Sequence, residues 1–310
     1  MPRPADPAPP KTAPPHPAPP RPAPPAAASL SDRLTDAVFR GLMALALRLP
    51  YERRLAAAGW VVARIVAPLA GYRRRVRDNL ALVCPDLPRA EVRRLMLAVP
   101  DNLGRALAEL YSGTEFTDRA GRLPITGPGR EALQEALAAR RPVVVATGHI
   151  GNYEAVRAAM AARGYPVAAL YRPMSNRLFN AHYIAAMEAI SQPLFARSNR
   201  GMAGMMRFLK AGGMLGILSD QHMGHGARLA FFGHPAMTAT SAADLALKYD
   251  ALLVPVYGIR AEDGIGFEII AEAPIAHGDP LAMTQAINDS LEARVRSNMG
   301  QWLWIHRRWK

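Results

Sequence analysis

From Glu91 to Leu110 apolar residues recur at helical spacing (Val92, Leu95, Met96, Val99, Leu103, Leu107, Leu110), so one face of a long helix is built for burial. Beyond it the pattern alternates. Pro142 to Ala146 is a short apolar run suited to a buried strand, Asn152 to Arg163 a helix closed by Gly164, and Pro166 to Tyr171 a second strand. Arg200 to Ala211 reads as a helix ended by Gly212 and Gly213, Met214 to Ser219 as a strand, and Ser241 to Tyr249 as a helix. Leu252 to Ile259 and Phe267 to Ala271 read as strands joined through the turn Glu262-Asp263-Gly264, and a last helix runs from about Pro280 to Ser297. Strands and helices taking turns predict an α/β fold, a largely parallel sheet flanked by helices, with polar chemistry at the carboxyl ends of the strands.

The first 75 residues follow no such alternation. Residues 1–29 are nearly all Pro and Ala, too poor in core-forming side chains to offset chain entropy, and are expected to be a disordered tail. They contain no apolar stretch of the kind a signal peptide carries. Residues 30–75 hold two apolar segments, Val38 to Pro50 and Leu55 to Gly71, interrupted by Arg40, Arg48, Arg64 and Pro68, and neither offers about 20 clean apolar residues for a span. They are expected to form a membrane-associated helical region, interfacial or re-entrant, with arginines reaching to headgroups, although amphipathic core helices would share the pattern. Arg73, Arg74, Arg75 and Arg77 follow at once, as in a cytoplasmic juxtamembrane anchor. Residues 76–310 then make up the α/β domain.

Composition narrows the partners. The net charge is +13, and Lys11, Lys210, Lys248 and Lys310 are the only lysines, so arginine supplies nearly all of it. Such a surface seeks phosphate-bearing lipid, acidic protein or nucleic acid. No helix-turn-helix, zinc-finger or RNP motif is present and aromatic residues are 7% of the chain, so nucleic acid is not an expected partner and an anionic lipid or membrane is. Cys84 is alone, which excludes an intramolecular disulfide.

The strand at Val143 runs into Gly148-His149-Ile150-Gly151-Asn152-Tyr153-Glu154. On one helix His149 and Glu154 would stand about 140° apart and not meet. With the glycines holding His149 in a loop and Asn152 capping the helix, the loop can fold the imidazole onto Glu154, giving a general base and its orienting acid; the alternative is a structural histidine and a glutamate placed for the helix dipole. Ser219-Asp220-Gln221 follows directly on another strand, where α/β proteins place functional groups. His222, His225 and His234 lack the cysteines or carboxylates of a zinc site, and Gly212, Gly213 and Gly216 precede a strand instead of following one, so neither a metal nor a nucleotide cofactor is expected. At the end of the chain Trp302, Trp304 and Trp309 alternate with His306, Arg307, Arg308 and Lys310. Here the expectation is tryptophans at interfacial depth, with core packing the alternative for Trp302 and Trp304, and cations, Arg307 and Arg308 above all, on acceptor phosphates or headgroups.

The segment Gly148 to Glu154 resembles the H-x4-E signature of the bacterial lipid A biosynthesis acyltransferases, the late lauroyl and myristoyl transferases. Leu170-Tyr171-Arg172-Pro173, Ser219-Asp220-Gln221, Phe231-Phe232-Gly233-His234-Pro235-Ala236 and the block from Gln301 to Lys310 are similar to further family blocks in the same order. Related glycerophospholipid acyltransferases carry Asp where this chain has Glu154, which favours the lipid A branch. The resemblance implies an acyl carrier protein thioester as donor, a hydroxyl on an anionic glycolipid, a Kdo-bearing lipid A precursor, as acceptor, and the cytoplasmic face of a bacterial inner membrane as location. A glycerophospholipid acceptor is the alternative. On this reading His149 is the base, Glu154 orients it, Arg172 and the amides around Gly148 and Gly151 are candidates for the oxyanion, and Asp220 and Gln221 organise the substrate site. One departure stands out: the closely spaced arginines many members carry after the Tyr-Arg-Pro block are replaced by Ala181 to Glu188, so the acceptor-phosphate contact is either absent or taken over by Arg177, Arg197 or Arg200.

Overall fold

A computed structural model describes residues 29–310, so the Pro/Ala-rich stretch up to residue 28, and the disorder expected of it, lies outside the described residues. The chain enters through α1 (Leu30–Ala46), capped reciprocally by Ser29 and Asp32. α2 (Tyr51–Val61) continues through a π-helical turn at Val62–Val66 into α3 (Ala67–Leu69). Gly71, at φ 69°, then turns the path by 83° into α4 (Tyr72–Val83). α5 (Arg89–Leu110) packs on α2 where two glycines face each other: a Cβ on Gly104 would lie 2.4 Å from the Ala58 carbonyl oxygen. α6 (Thr114–Gly121) completes the helical part.

The rest is the α/β layer. In chain order it runs β1 (Ile125–Thr126), α7 (Arg130–Ala138), β2 (Val143–Thr147), α8 (Tyr153–Ala161), β3 (Val167–Tyr171), α9 (Arg177–Ile190), β4 (Leu194–Ala196), α10 (Asn199–Lys210) and β5 (Met214–Leu218). The hairpin β6 (Ala227–Phe231) and β7 (His234–Thr238) follows, then α11 (Ser241–Tyr249), β8 (Leu252–Arg260), β9 (Phe267–Ala271) and α12 (Pro280–Ser297). The seven-stranded sheet has the order β1-β9-β8-β2-β5-β3-β4, parallel except where β9 returns antiparallel on β8. Val143 and Val145 face the cluster containing α8, while Val144 and Ala146 face α10 and α11, which is why β2 has no polar alternation. Because β3 is reached by crossing over β5, the strand beside β2 is β5, with Thr147 opposite Leu218. His149 and Asp220 therefore each lie two residues past the same row.

The expected α/β alternation and mainly parallel sheet are present, with the helices at Ser241–Tyr249 and Pro280–Ser297 at the expected bounds. The hairpin was not expected as strands: Arg228 and Pro235 break its pattern, and Phe232 and Gly233, at φ 55° and 71°, make its tight turn. β1 and β4, two and three residues long, are too short for a pattern to show.

α1 is amphipathic in the inverted sense. Its one buried residue is Asp36, held by His182 of α9 at 2.9 Å, while Leu30, Leu34, Val38, Leu42 and Leu45 are each more than half exposed along one stripe. Trp60, Ile65 and Leu69 extend the exposed apolar surface. No single helix among the described residues is long and apolar enough to cross a membrane; the bent pair Tyr51–Leu69 and Tyr72–Val83 passes that test only jointly.

Candidate active site

The loop after β2 is held from three sides. Gly151, at φ 56°, sits where a Cβ would come within 2.0 Å of the Gly258 carbonyl oxygen, and its N–H donates to the Gln301 carbonyl. The His149 carbonyl accepts from the Leu303 N–H at 3.0 Å. From β5, fully buried Asp220 accepts three hydrogen bonds: Oδ1 from His149 Nδ1 at 2.7 Å, and Oδ2 from the His149 backbone N–H at 2.7 Å and the Trp302 indole at 2.9 Å. Burial pushes the Asp220 carboxyl up, but its electrostatic interaction with the His149 ring and the hydrogen bonds from His149 reverse this and hold it well below the usual carboxylate range. An ionised partner at Nδ1 fixes the proton there. Nε2 is left as an acceptor on the open side of the ring, the arrangement of a general base.

The expected contact between His149 and Glu154 is not made. Asn152 caps α8 by accepting from the Glu154 N–H at 2.9 Å, and this sends the Glu154 side chain inward to Arg157, one turn on, at 2.6 Å. Arg157 in turn donates to the Ser191 carbonyl at 2.5 Å and to that of Val167 at 3.3 Å. Burial raises the Glu154 carboxyl against the pull of Arg157. The two motif residues thus face different partners: His149 is oriented across the sheet by Asp220, and Glu154 ties α8 to β3 and to the end of α9.

A second buried network, not anticipated, supports the loop from below. Arg260 at the end of β8 forks onto Glu109 of α5 and donates to Asn102 at 2.8 Å. Glu109 accepts from Asn152 at 2.7 Å, and Asn102 donates to the Gly151 carbonyl at 2.9 Å. A signal existed: Asn102 and Glu109, seven residues apart, lie on the apolar face of α5, where a polar residue needs a buried partner.

Of the residues expected at the substrate, Gln221 is exposed, and its amide nitrogen lies 3.5 Å from His149 Nε2 and 3.4 Å from His306 Nε2. Arg172 is exposed just past β3, with β5 between its strand and that of His149. Arg177, Arg197 and Arg200 are exposed at the same carboxyl edge. Arg307 is exposed, but Arg308 is not an acceptor contact. It is completely buried and spends its guanidinium on the carbonyls of Gln221 and Met237, the Thr238 hydroxyl and the Asn288 amide oxygen, clamping the Asp220–Gln221 loop. Nor are the tryptophans interfacial: Trp302 and Trp304 are fully buried against Phe231, Phe232 and Trp309. Among the described residues no group of three or more His, Cys, Asp or Glu is placed to hold a metal.

Beside His149 an apolar cavity of about 110 Å³ lies between α5 and the start of α8, lined by Leu103, Leu107, Leu110, Tyr153 and Tyr183 among others. Among the described residues no serine, threonine or cysteine side chain hydrogen-bonds the His149 ring. The constellation suits deprotonation of an exogenous hydroxyl beside an apolar chain.

The sequence model of the family described as bacterial lipid A biosynthesis acyltransferase matches residues 29–310. The chain is 26% identical over 277 residues to the lipid A biosynthesis palmitoleoyltransferase of Escherichia coli K12, covering 87% of this chain and 89% of the relative. It is 23% identical over 274 residues to the phosphatidylinositol mannoside acyltransferase of Mycobacterium tuberculosis, covering 82% and 87%. A lipid A biosynthesis acyltransferase of Haemophilus influenzae is 22% identical over 261 residues, 81% of each chain.

Proposed function

Because this chain belongs to the bacterial lipid A biosynthesis acyltransferase family, we propose that it moves a fatty acyl group from an acyl carrier protein thioester to a hydroxyl of a Kdo-bearing lipid A precursor. The observation that carries the proposal is the His149 ring, fixed at Nδ1 by Asp220, met at Nε2 only by the exposed Gln221 amide at 3.5 Å, and lining the apolar cavity. An unactivated alcohol is a poor nucleophile at neutral pH, so Nε2 takes its proton as the oxygen attacks the thioester carbonyl. Asp220 stabilises the imidazolium that forms, and the proton passes to the departing thiolate as the C–S bond breaks. Without a nucleophilic side chain at His149, transfer is direct. The cavity lined by Tyr153 and Tyr183 takes the first few methylenes of the acyl chain next to the carbonyl.

Two surfaces support the acceptor and the location. Arg172, Arg177, Arg197 and Arg200, all exposed at the carboxyl edge of the sheet, offer guanidinium groups to an acceptor phosphate in place of the family arginines missing near Met187. The outward apolar stripe of α1, continued by Trp60, Ile65 and Leu69, suits the cytoplasmic face of a bacterial inner membrane. A second reading, the same chemistry on another membrane lipid, is favoured by the relative named for phosphatidylinositol mannoside. Mass spectrometry of lipids from cells with and without the gene separates them: loss of one acyl chain from lipid A supports the proposal, and intact lipid A with an altered phospholipid overturns it.

A further inference from the structure

His306 is the nearest ring to the base that the mechanism leaves unused. It stands edge-on to His149, with ring centroids 4.9 Å apart and planes at 69°. Its backbone is anchored, the N–H donating to the Leu303 carbonyl at 3.0 Å and the carbonyl accepting from Asn79 of α4 at 2.8 Å. Both Nε2 atoms point at one place, marked by the Gln221 amide nitrogen at 3.5 and 3.4 Å. Those contacts are too long to be strong hydrogen bonds, and Gln221 is exposed, so a substrate atom displaces it at little cost.

We propose that His306 seats the acceptor hydroxyl. The oxygen takes the position of the Gln221 amide, directs its proton at His149 Nε2, and accepts a hydrogen bond from the N–H of a neutral His306. A hydroxyl is the group that fits, because it donates once and accepts in the same place. Neutrality matters here. Burial, and then the neighbouring His149, push the His306 pKa down to about 4, so at neutral pH no second positive charge opposes proton transfer to His149.

The inference rests on the acyl-transfer reading, and the experiment keeps the two apart. With the purified protein, an acyl carrier protein thioester and the lipid A precursor, His306→Ala is expected to lower kcat/KM for the acceptor at least about tenfold. The apparent KM of the donor should stay within threefold. His306→Gln, which restores an N–H, should recover part of the loss. Equal shifts for donor and acceptor, no rescue by Gln, or an unaltered acceptor kcat/KM overturns the assignment. His149→Ala in the same assay tests the foundation: near-normal turnover there overturns the acyl-transfer reading, and this inference with it. An inactive His149→Ala beside an unaltered His306→Ala overturns the role of His306 alone.

Discussion

Replacing Asp220 with Asn separates the observed base–acid pair from the one the motif spacing suggests. The side chains have the same shape, but the amide has one acceptor oxygen where the carboxylate has two. Two donors, the His149 backbone N–H and the Trp302 indole, meet at the Oδ2 position, so the amide oxygen settles there and the NH2 turns to His149 Nδ1 across 2.7 Å. A ring nitrogen facing an N–H has to accept, and the proton moves to Nε2, the atom that must act as base. The same tautomer swap in a serine-protease triad costs about 10⁴ in kcat, or about 5 kcal/mol of barrier, and a loss of that order is expected here. Steady-state acyl transfer measures it, and nitrogen NMR of the imidazole reports the tautomer directly. Glu154→Gln is the control. It leaves Asp220 and His149 in place and should hold kcat within about tenfold, but it strands the buried Arg157 charge at a cost of about 3 to 5 kcal/mol in stability. An Asp220→Asn enzyme within tenfold of wild type refutes the reasoning. So does a Glu154→Gln enzyme that loses more turnover than Asp220→Asn at unchanged melting temperature.

Arg260→Met leaves Glu109 buried without its cation and should cost about 3 to 5 kcal/mol, read as a fall of order 10 °C in Tm by calorimetry; a shift under 2 °C would mean the network carries little. Between pH 6.5 and about 4 the unfolded chain holds a proton on His306 that the folded protein refuses, so folding stability should drop as pH falls through that window, by up to about 3 kcal/mol. His306→Gln should flatten that slope in denaturant titrations, and an unchanged slope assigns it to another group. Leu34→Glu with Leu42→Glu should release the protein from sedimenting membranes without altering its Tm, because both side chains are already exposed; full retention on the membrane means α1 is not the attachment.

What the sequence discloses follows from which interactions are local. β2 and β8 were readable because strands buried on both faces must be continuously apolar, and α11 and α12 because their periodicity and their Asp250 and Pro280 boundaries lie in adjacent residues. His149 and Asp220 were readable as candidates because polar residues at strand ends have no packing reason to be there. Their partnership was not. It depends on β5 inserting between β2 and β3, a matter of sheet order over 71 residues of chain, whereas Glu154 stands five residues away and invites a local pairing. The C-terminal cations misled for a related reason. In sequence Arg307 and Arg308 look alike, and only the carbonyls of Gln221, in the loop after β5, and of Met237, on β7, make one of them a buried clamp.

The four tryptophans divide the molecule optically. Trp302, Trp304 and Trp309 lie with ring centroids 4.7 to 6.3 Å apart, close enough for their electronic transitions to couple, and Trp302 is bonded to the carboxylate that orients His149. Their coupled circular-dichroism band is therefore a signal of whether the end of the chain is closed over the site. Trp60 stands apart on α2, 57% exposed on the apolar surface. On the proposed membrane attachment, a quencher carried by lipid should meet Trp60 and spare the trio, so that emission and dichroism from one unlabelled sample would follow attachment and site integrity separately.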